Sequence, residues 1–437
     1  MAKKAKKYKS KNNKGKQSED SPHIPFSSSS SAAESSIHQN SDHEEDFIPL
    51  EDPKISRQQR RFEERKQLKA NPFSKDAFEG SRYNFCYPWM EMMNFDFANT
   101  ETHSYDIFRQ EVDCFLRYIE PTESEMELRE SIVQRISKAI SKQWPDAEVS
   151  VFGSFATCLF LPNSDIDLDI TFYEQNPRLD AVANALKKAG LCDKPQVIRH
   201  ATVPVIKFEE LYTGLKVDIV MNTTNGVRSA DLVRRAILDH PAARPLILII
   251  KYYLAQCKLN EVYTGGLGGY AIVCLVVSFL QRHPMVATGQ IDPMENISVL
   301  LLDFLLLYGI HFSMECVGID IRGEGCYFYK ELNKFGRSRN GKELFSILDP
   351  QDESNDIGSK SFEAESAADE FRYAYNVIIR KMRVLEEELE ANDYKQLSSH
   401  VTSSFQSCSV LSTFLYVTPE FVKQRQAMEN AYEEQMY

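Results

Sequence analysis

From residue 102 onward, apolar positions first recur at helical spacing. Ile107, Phe108, Val112, Phe115, Leu116 and Ile119 share one face of Thr102–Ile119. Pro121 stops that run, and Thr122 with Glu125 forms a capping box for a second helix. Its stripe is Leu128, Ile132, Val133, Ile136 and Ile140, and Pro145 ends it. The period then changes to two. Val149, Val151 and Phe152 predict a strand, which Gly153-Ser154 breaks at a tight turn. A short helical turn follows over Phe155 to Leu159, Pro162 and Asn163 close it, and a second strand opens at Asp165. On that strand Ile166, Leu168 and Ile170 point to the buried face. Arg178–Ala189 predicts a helix stopped by Gly190, and two strands follow, Val203–Phe208 and Leu215–Met221, around a polar turn with Gly214. From Asn222 the pattern is helical. Gly226–Asp239 halts at Pro241, and Ala243–Leu259 is apolar on nearly all sides except Lys251. Gly265–Gly269 reads as a flexible hinge before Tyr270–Arg282, and Asn296–Tyr308 follows. A long amphipathic helix, Phe362–Leu389, carries Phe371, Ala374, Tyr375, Ile378 and Met382. Past Asn392 the signals are weak until a charged helix near Glu420–Tyr437.

The fold class expected is α+β: a small mixed sheet with two helices on one face, then a mainly helical domain, with the active site in the cleft between them. The boundaries are 1–83 unfolded, 84–120 helices packing with the helical domain, 121–221 the sheet domain, 222–391 the helical domain and 392–437 a tail. Residues 1–83 hold a lysine-dense run (Met1–Gln17), a serine stretch (Ser27–Ser31), an acidic patch (Asp42–Asp46) and a mixed-charge run (Lys54–Lys69). Few apolar groups there offset the entropy of ordering. The lysine run is a nuclear localisation signal, a loose phosphate-binding arm or a solubilising tail. Phe47-Ile48-Pro49-Leu50 is a short apolar island of the kind partners dock onto.

Composition narrows the class. The 437 residues, 43% apolar and 26% charged, fit a soluble globular protein of two or three domains. A net charge of −12 argues against a large basic nucleic-acid groove of the chain's own. Nine cysteines show no CxxC pair and no zinc spacing, and no signal peptide precedes them, so they read as reduced and intracellular. The most apolar stretches, Tyr270–Leu280 and Val299–Tyr308, fall short of the roughly 18 residues of a membrane span.

The chemistry centres on residues 153–167. Asp165 and Asp167 alternate to the same strand face, roughly 6 to 7 Å apart at Cα. Such a pair repels itself unless a cation lies between, and a hard divalent ion takes oxygen ligands. The Gly153-Ser154 turn offers a residue without Cβ, backbone N–H groups and a hydroxyl, which suit a phosphate. In LKVDIVMN, Asp218 sits between Val217 and Ile219 and so faces the same polar side. A lone DxD is usually an acidic surface strand. The turn at fixed distance and the third carboxylate favour a metal site.

The set Gly153-Ser154, Asp165-Ile166-Asp167 and Asp218 resembles the DNA polymerase β-like nucleotidyltransferase superfamily. The stretches TNGVRSADL, LILIIKYYL, TGGLGGYAI, VLLLDFLLLYG and ILDPQDESNDIG narrow the likeness to noncanonical poly(A) polymerases of the TRAMP type, over about Asp106 to Lys381. That resemblance implies template-independent transfer of AMP from ATP to an RNA 3′ end with two ions, Mg²⁺ or Mn²⁺, in nuclear or nucleolar RNA surveillance. It makes 121–221 the nucleotidyltransferase domain and 349–358 a nucleotide-recognition loop. Asp165 and Asp167 would bridge both ions, and Asp218 would hold the one beside the 3′-hydroxyl. Gly153 and Ser154 would contact the β- and γ-phosphates. Ser164 would add a hydroxyl there or only shape the turn. Lys251 would set a point charge on the triphosphate, unless it snorkels at a buried rim. Tyr270 would stack on the base, unless it is an ordinary core aromatic. Asn225 would contact ribose or base, or cap the helix beginning at Gly226. Asp349, Asp352 and Asn355 would read the base, unless the stretch is a polar surface turn. Relatives that add uridine tend to have histidine at the Asn355 position, which favours ATP.

Two positions depart from the pattern: Gly269 stands where many relatives have serine, and Asp169 where relatives have an apolar residue. Asp169 lies too far along to share the ions and belongs behind the site or on the surface. The implied partners are a separate zinc-knuckle RNA-binding subunit and an RNA helicase. The rival readings are a terminal uridylyltransferase, a catalytically silent scaffold and a small-molecule nucleotidyltransferase.

Overall fold

The computed structural model describes residues 87–93, 102–201, 203–223, 225–333, 341, 343–391 and 408–436. The chain divides into Met1–Gly80 and Ser81–Tyr437. The first unit, with the lysine run and Phe47-Ile48-Pro49-Leu50, lies outside the described residues.

The capping box forms as read: the Thr122 hydroxyl accepts the Glu125 N–H and the Glu125 carboxylate takes the Thr122 N–H, opening the helix Glu123–Ser141. Five strands follow: β1 (Glu148–Phe152), β2 (Ile166–Thr171), β3 (Gln196–Ile198), β4 (Val205–Glu209) and β5 (Lys216–Met221). Their order in the sheet is β1-β2-β5-β4-β3. Only β2 and β5 run parallel, because the helix Leu179–Lys188 and the β3–β4 hairpin intervene between them. Leu128, Ile132, Ile136 and Ile140 of one helix and Val182 and Leu186 of the other cover Leu168, Ile170, Ile206 and Ile219. β3 carries too few residues to show a period. β4 starts at Val205, since Pro204 has no N–H for the ladder.

The helical half comprises Ser104–Ile119, Asn225–Asp239, Ala243–Gln256, Gly269–Arg282, Ile297–Leu306 and Ala364–Glu390. Phe304 packs edge-on against Phe279 and Phe371, at 5.6 and 5.5 Å between ring centroids. The Gly265–Gly269 stretch is a packed turn rather than a flexible hinge. A Cβ on Gly265 would come 2.3 Å from the Phe362 ring, and one on Gly266 would come 2.3 Å from the Leu259 carbonyl oxygen. The Leu267 N–H donates to that same carbonyl at 2.7 Å. Among the described residues one helical stretch, Met294–His311, is long and apolar enough to cross a membrane, longer than the sequence pattern suggested. A π turn at Leu307–His311 extends it, and Leu300, Leu301, Phe304, Leu305 and Tyr308 are buried in the protein core.

Further on, β6 (Val317–Asp320), β7 (Cys326–Tyr329), β8 (Ser346–Asp349) and β9 (Asp352–Asp356) form a second sheet in the order β7-β6-β8-β9, which the sequence pattern did not reveal. The C-terminal segment joins both halves. Val410, Leu411, Leu415 and Val417 enter the helical core, and Met428 and Ala431 of the helix Pro419–Met436 enter the sheet core. The junction is polar and buried. Glu111 accepts the Trp89 indole N–H at 3.0 Å and the Val410 and Leu411 N–H groups at 2.7 and 3.0 Å. Arg425 pairs with Glu125 at 2.8 Å and donates to the Glu120 carbonyl at 2.6 Å.

Candidate active site

β1 delivers the chain to Gly153, which turns at φ +66°, and a helical turn begins at Gly153 itself rather than at Phe155. The register pairs Phe152 with Asp167 across β1 and β2, so the turn lies against the carboxylate. A Cβ on Gly153 would sit 2.1 Å from Asp167 Oδ2. Glycine is required twice, by the positive φ and by the close approach. Across the parallel pair, Asp167 stands opposite Asp218. Burial first, then the charges of Asp218 and Asp165, pushes Asp167 up to about 7. Burial and Asp218 also raise Asp165.

The connection from the Gly-Ser turn to β2 is held on several sides. The Leu159 N–H donates to the Ser154 carbonyl at 3.0 Å, and the Leu161 N–H donates to Ser164 Oγ at 2.9 Å. Ser164 therefore shapes this turn. Lys251 Nζ donates to the Leu159 carbonyl at 2.5 Å. Burial brings its ammonium down to about 8, against the pull of Asp167. Lys251 thus lies inside the site, not snorkelled at a rim.

Gly153, Ser154, Ser164, Asp165, Asp167, Asp218, Lys251 and Tyr270 line one cavity of about 1390 Å³. Asn225, Asp349, Asp352 and Asn355 do not. Asn225 is exposed and opens its helix, one residue earlier than the sequence pattern placed the start. Asp349 is near enough to Tyr270 for its charge to add to burial in raising the phenol. The expected loop 349–358 is the β8–β9 hairpin with a following turn, tied to itself. Asn355 Nδ2 donates to Asp349 Oδ2 at 2.8 Å, and Asp352 Oδ1 accepts the Ser354 N–H at 3.0 Å.

Asp169 is 2% exposed, and its two oxygens accept the Thr223 N–H at 3.2 and 3.1 Å. It ties β2 to the exit of β5, behind the site and off the surface. Two residues were not singled out from the sequence. Lys207 on β4 stands opposite Asp218 and forms an ion pair with it. The alternation of VIKFE, with Ile206 and Phe208 buried, was the available signal. Arg129 is buried under the site, and its place three, four and seven residues before Ile132, Val133 and Ile136 of the apolar stripe was the available signal.

The donor set suits a hard divalent cation, being carboxylates on adjacent strands whose mutual repulsion a cation relieves. Among the described residues no three such side chains already close into a cage, and Asp218 is turned to Lys207.

Two family descriptions match the chain: poly(A) RNA polymerase, mitochondrial-like, central palm domain, over residues 108–235, and Cid1 family poly A polymerase, over 296–355. The poly(A) RNA polymerase cid14 of Schizosaccharomyces pombe is 39% identical over 332 residues, 75% of this chain and 47% of that protein. The inactive noncanonical poly(A) RNA polymerase protein Trf4-2 of Drosophila melanogaster is 36% identical over 262 residues, 59% of this chain and 64% of its own length. The solved polymerase core of TRAMP, an RNA surveillance complex, is 33% identical with a TM-score of 0.65, covering 75% of this chain and 99% of that one. This chain belongs to the TRAMP-type noncanonical poly(A) polymerase family. Within that family the palm match spans the Gly-Ser turn and all three aspartates, and the second match ends on Asn355. The chain spans about half the length of the first curated relatives it matches.

Proposed function

We propose that the chain is a template-independent poly(A) RNA polymerase, in which an RNA 3′-hydroxyl attacks the α-phosphorus of ATP and pyrophosphate leaves. The observation that carries this is the convergence of Asp165, Asp167 and Asp218 with Gly153, Lys251 and Tyr270 on one cavity. Asp165 and Asp167 would hold the divalent ions, Mg²⁺ or Mn²⁺, and Asp218 the one beside the 3′-hydroxyl. Bound there, such ions stabilise the attacking and leaving oxygens of an in-line displacement. Gly153 and Ser154 offer backbone N–H groups and a hydroxyl to the β- and γ-phosphates. Half-buried Lys251 acts on the triphosphate through a medium that screens its charge less than water does. Tyr270 stacks on the base, and Asn355, positioned by Asp349, favours adenine over uracil.

The setting we propose is nuclear RNA surveillance, with a separate zinc-knuckle RNA-binding subunit and an RNA helicase. A net charge of −12 supports this, because phosphate contacts dominate RNA affinity and another chain would then supply them. The rival reading of a silent scaffold is kept in view by the relative described as inactive. Against it, all three aspartates and the Gly-Ser turn are present here.

The test is extension of a labelled oligoadenylate with each nucleoside triphosphate, in Mg²⁺ or Mn²⁺, with and without an RNA-binding partner. An Asp165→Ala/Asp167→Ala chain is run beside it. Extension with ATP that disappears in the control is expected. A preference for UTP would overturn the adenine reading, and no extension under any condition would favour the scaffold.

A further inference from the structure

Arg129 is fully buried on the helix Glu123–Ser141, directly beneath the loop that leads into β2. Its guanidinium lies 4.5 Å from the Phe160 ring centroid and 6.0 Å from that of Phe155. Nη2 donates to the Pro162 carbonyl at 2.9 Å, while Nε and Nη1 have no hydrogen-bond partner among the described residues. Burial lowers the guanidinium to about 10, with Glu125 and Asp165 as the opposing charges that favour its cationic form. A cation held this way is costly, and an apolar side chain of similar length is often neutral or better for stability.

Arg129 touches the middle of a loop whose two ends do separate work. At one end the Leu159 carbonyl takes Lys251, and at the other Ser164 leads into Asp165. We propose that Arg129 is a positioning residue for this loop. Through Pro162 and Phe160 it holds Leu159 and Asp165 at the spacing that lets Lys251 and the carboxylates act on one metal–ATP complex. Arg129 does not line the cavity. This inference rests on the nucleotidyl-transfer reading above.

The test uses the full chain with Arg129→Met, Arg129→Gln and Arg129→Lys. Four quantities are read: melting temperature, affinity for Mn²⁺·ATP without RNA, kcat and KM for RNA. For Arg129→Met the melting temperature stays near wild type. The Mn²⁺·ATP affinity falls about tenfold and kcat about 10- to 100-fold, the scale of a misplaced reacting group, with KM for RNA unchanged. Arg129→Lys, which keeps a charge and a donor, recovers more of both than Arg129→Gln. Wild-type kcat and Mn²⁺·ATP affinity in Arg129→Met overturn the proposal. So does a loss that tracks melting temperature and moves KM for RNA equally. If Arg129→Met does not fold, the Lys and Gln variants decide, and equal behaviour of the two overturns it. The binding arm needs no extension. A wild-type chain that binds Mn²⁺·ATP but adds no nucleotide sinks the polymerase reading while leaving the Arg129 comparison readable.

Discussion

Residues 165–169, entering β2, carry three carboxylates in five residues and 349–356, in the β8–β9 hairpin, four in eight, and their charges are met differently. In the hairpin, backbone and amide donors turn toward the carboxylates. Asp349 takes the Gln351 N–H and the Asn355 amide, Asp352 takes the Ser354 N–H, and Asp356 takes those of Ile347 and Gly358. The Ser354 hydroxyl and N–H hold Asp352 below the usual carboxylate range, while burial lifts Asp356 above it despite its two N–H donors. Asp165, just before β2, and Asp167 on it face Asp218 and each other, and burial first, then these charges, raises both. Asp169, two residues on, is as satisfied as the hairpin, with the Thr223 N–H on both oxygens. Counting carboxylates does not separate the two regions; the donors that face them do.

The largest effect should come from Gly153→Ala. Its Cβ meets Asp167 Oδ2 at 2.1 Å, and its φ of +66° adds about 1–2 kcal/mol of strain. Displacing Asp167 should lower kcat by about 10²-fold or more, read by steady-state extension with urea unfolding beside it. A variant with wild-type kcat would separate the turn from the carboxylate and break the contrast.

A smaller effect concerns pH in the metal-free chain. Asp167 rises from 3.8 to about 7 on folding, so the folded state binds this proton more tightly than the unfolded state. Its contribution to stability is full below about 4 and is lost as pH rises to about 7, by at most about 2 kcal/mol between pH 5 and 7. Lys251, lowered from 10.5 to about 8, works in the other direction. Its charged form is disfavoured in the fold, and stability returns between about 8 and 10.5. Thermal melts from pH 5 to 10 on wild type and Asp167→Asn should show the lower limb flattened in the variant and by saturating Mn²⁺. Identical pH slopes in the two chains would mean that the crowding at β2 costs nothing.

The smallest effect is in the exposed hairpin. Asn355→His should leave the melting temperature unchanged and lower the preference for ATP over UTP by about tenfold, measured with both nucleotides in competition. A fall in kcat with both nucleotides, at constant preference, would instead tie the hairpin to the chemistry.

Local pattern alone determined the strand face of Asp167, the placement of Asp218 between Val217 and Ile219, and the capping box at Thr122, while the strand read from Asp165 begins at Ile166. Each depends on alternation or on hydrogen bonds within a few residues. Only tertiary structure decided the rest. Lys207 reaches Asp218 because two strands pair antiparallel, and Asp169 is buried because the exit of β5 folds over it. Gly265 and Gly266 are fixed rather than loose because Phe362 and the Leu259 carbonyl press against them. The C-terminal segment had no period to read, and Glu111 bonds to Val410 and Leu411 across about three hundred residues. Such contacts form only once distant segments meet, and the buried groups that need them look, along the chain, like any other polar residue.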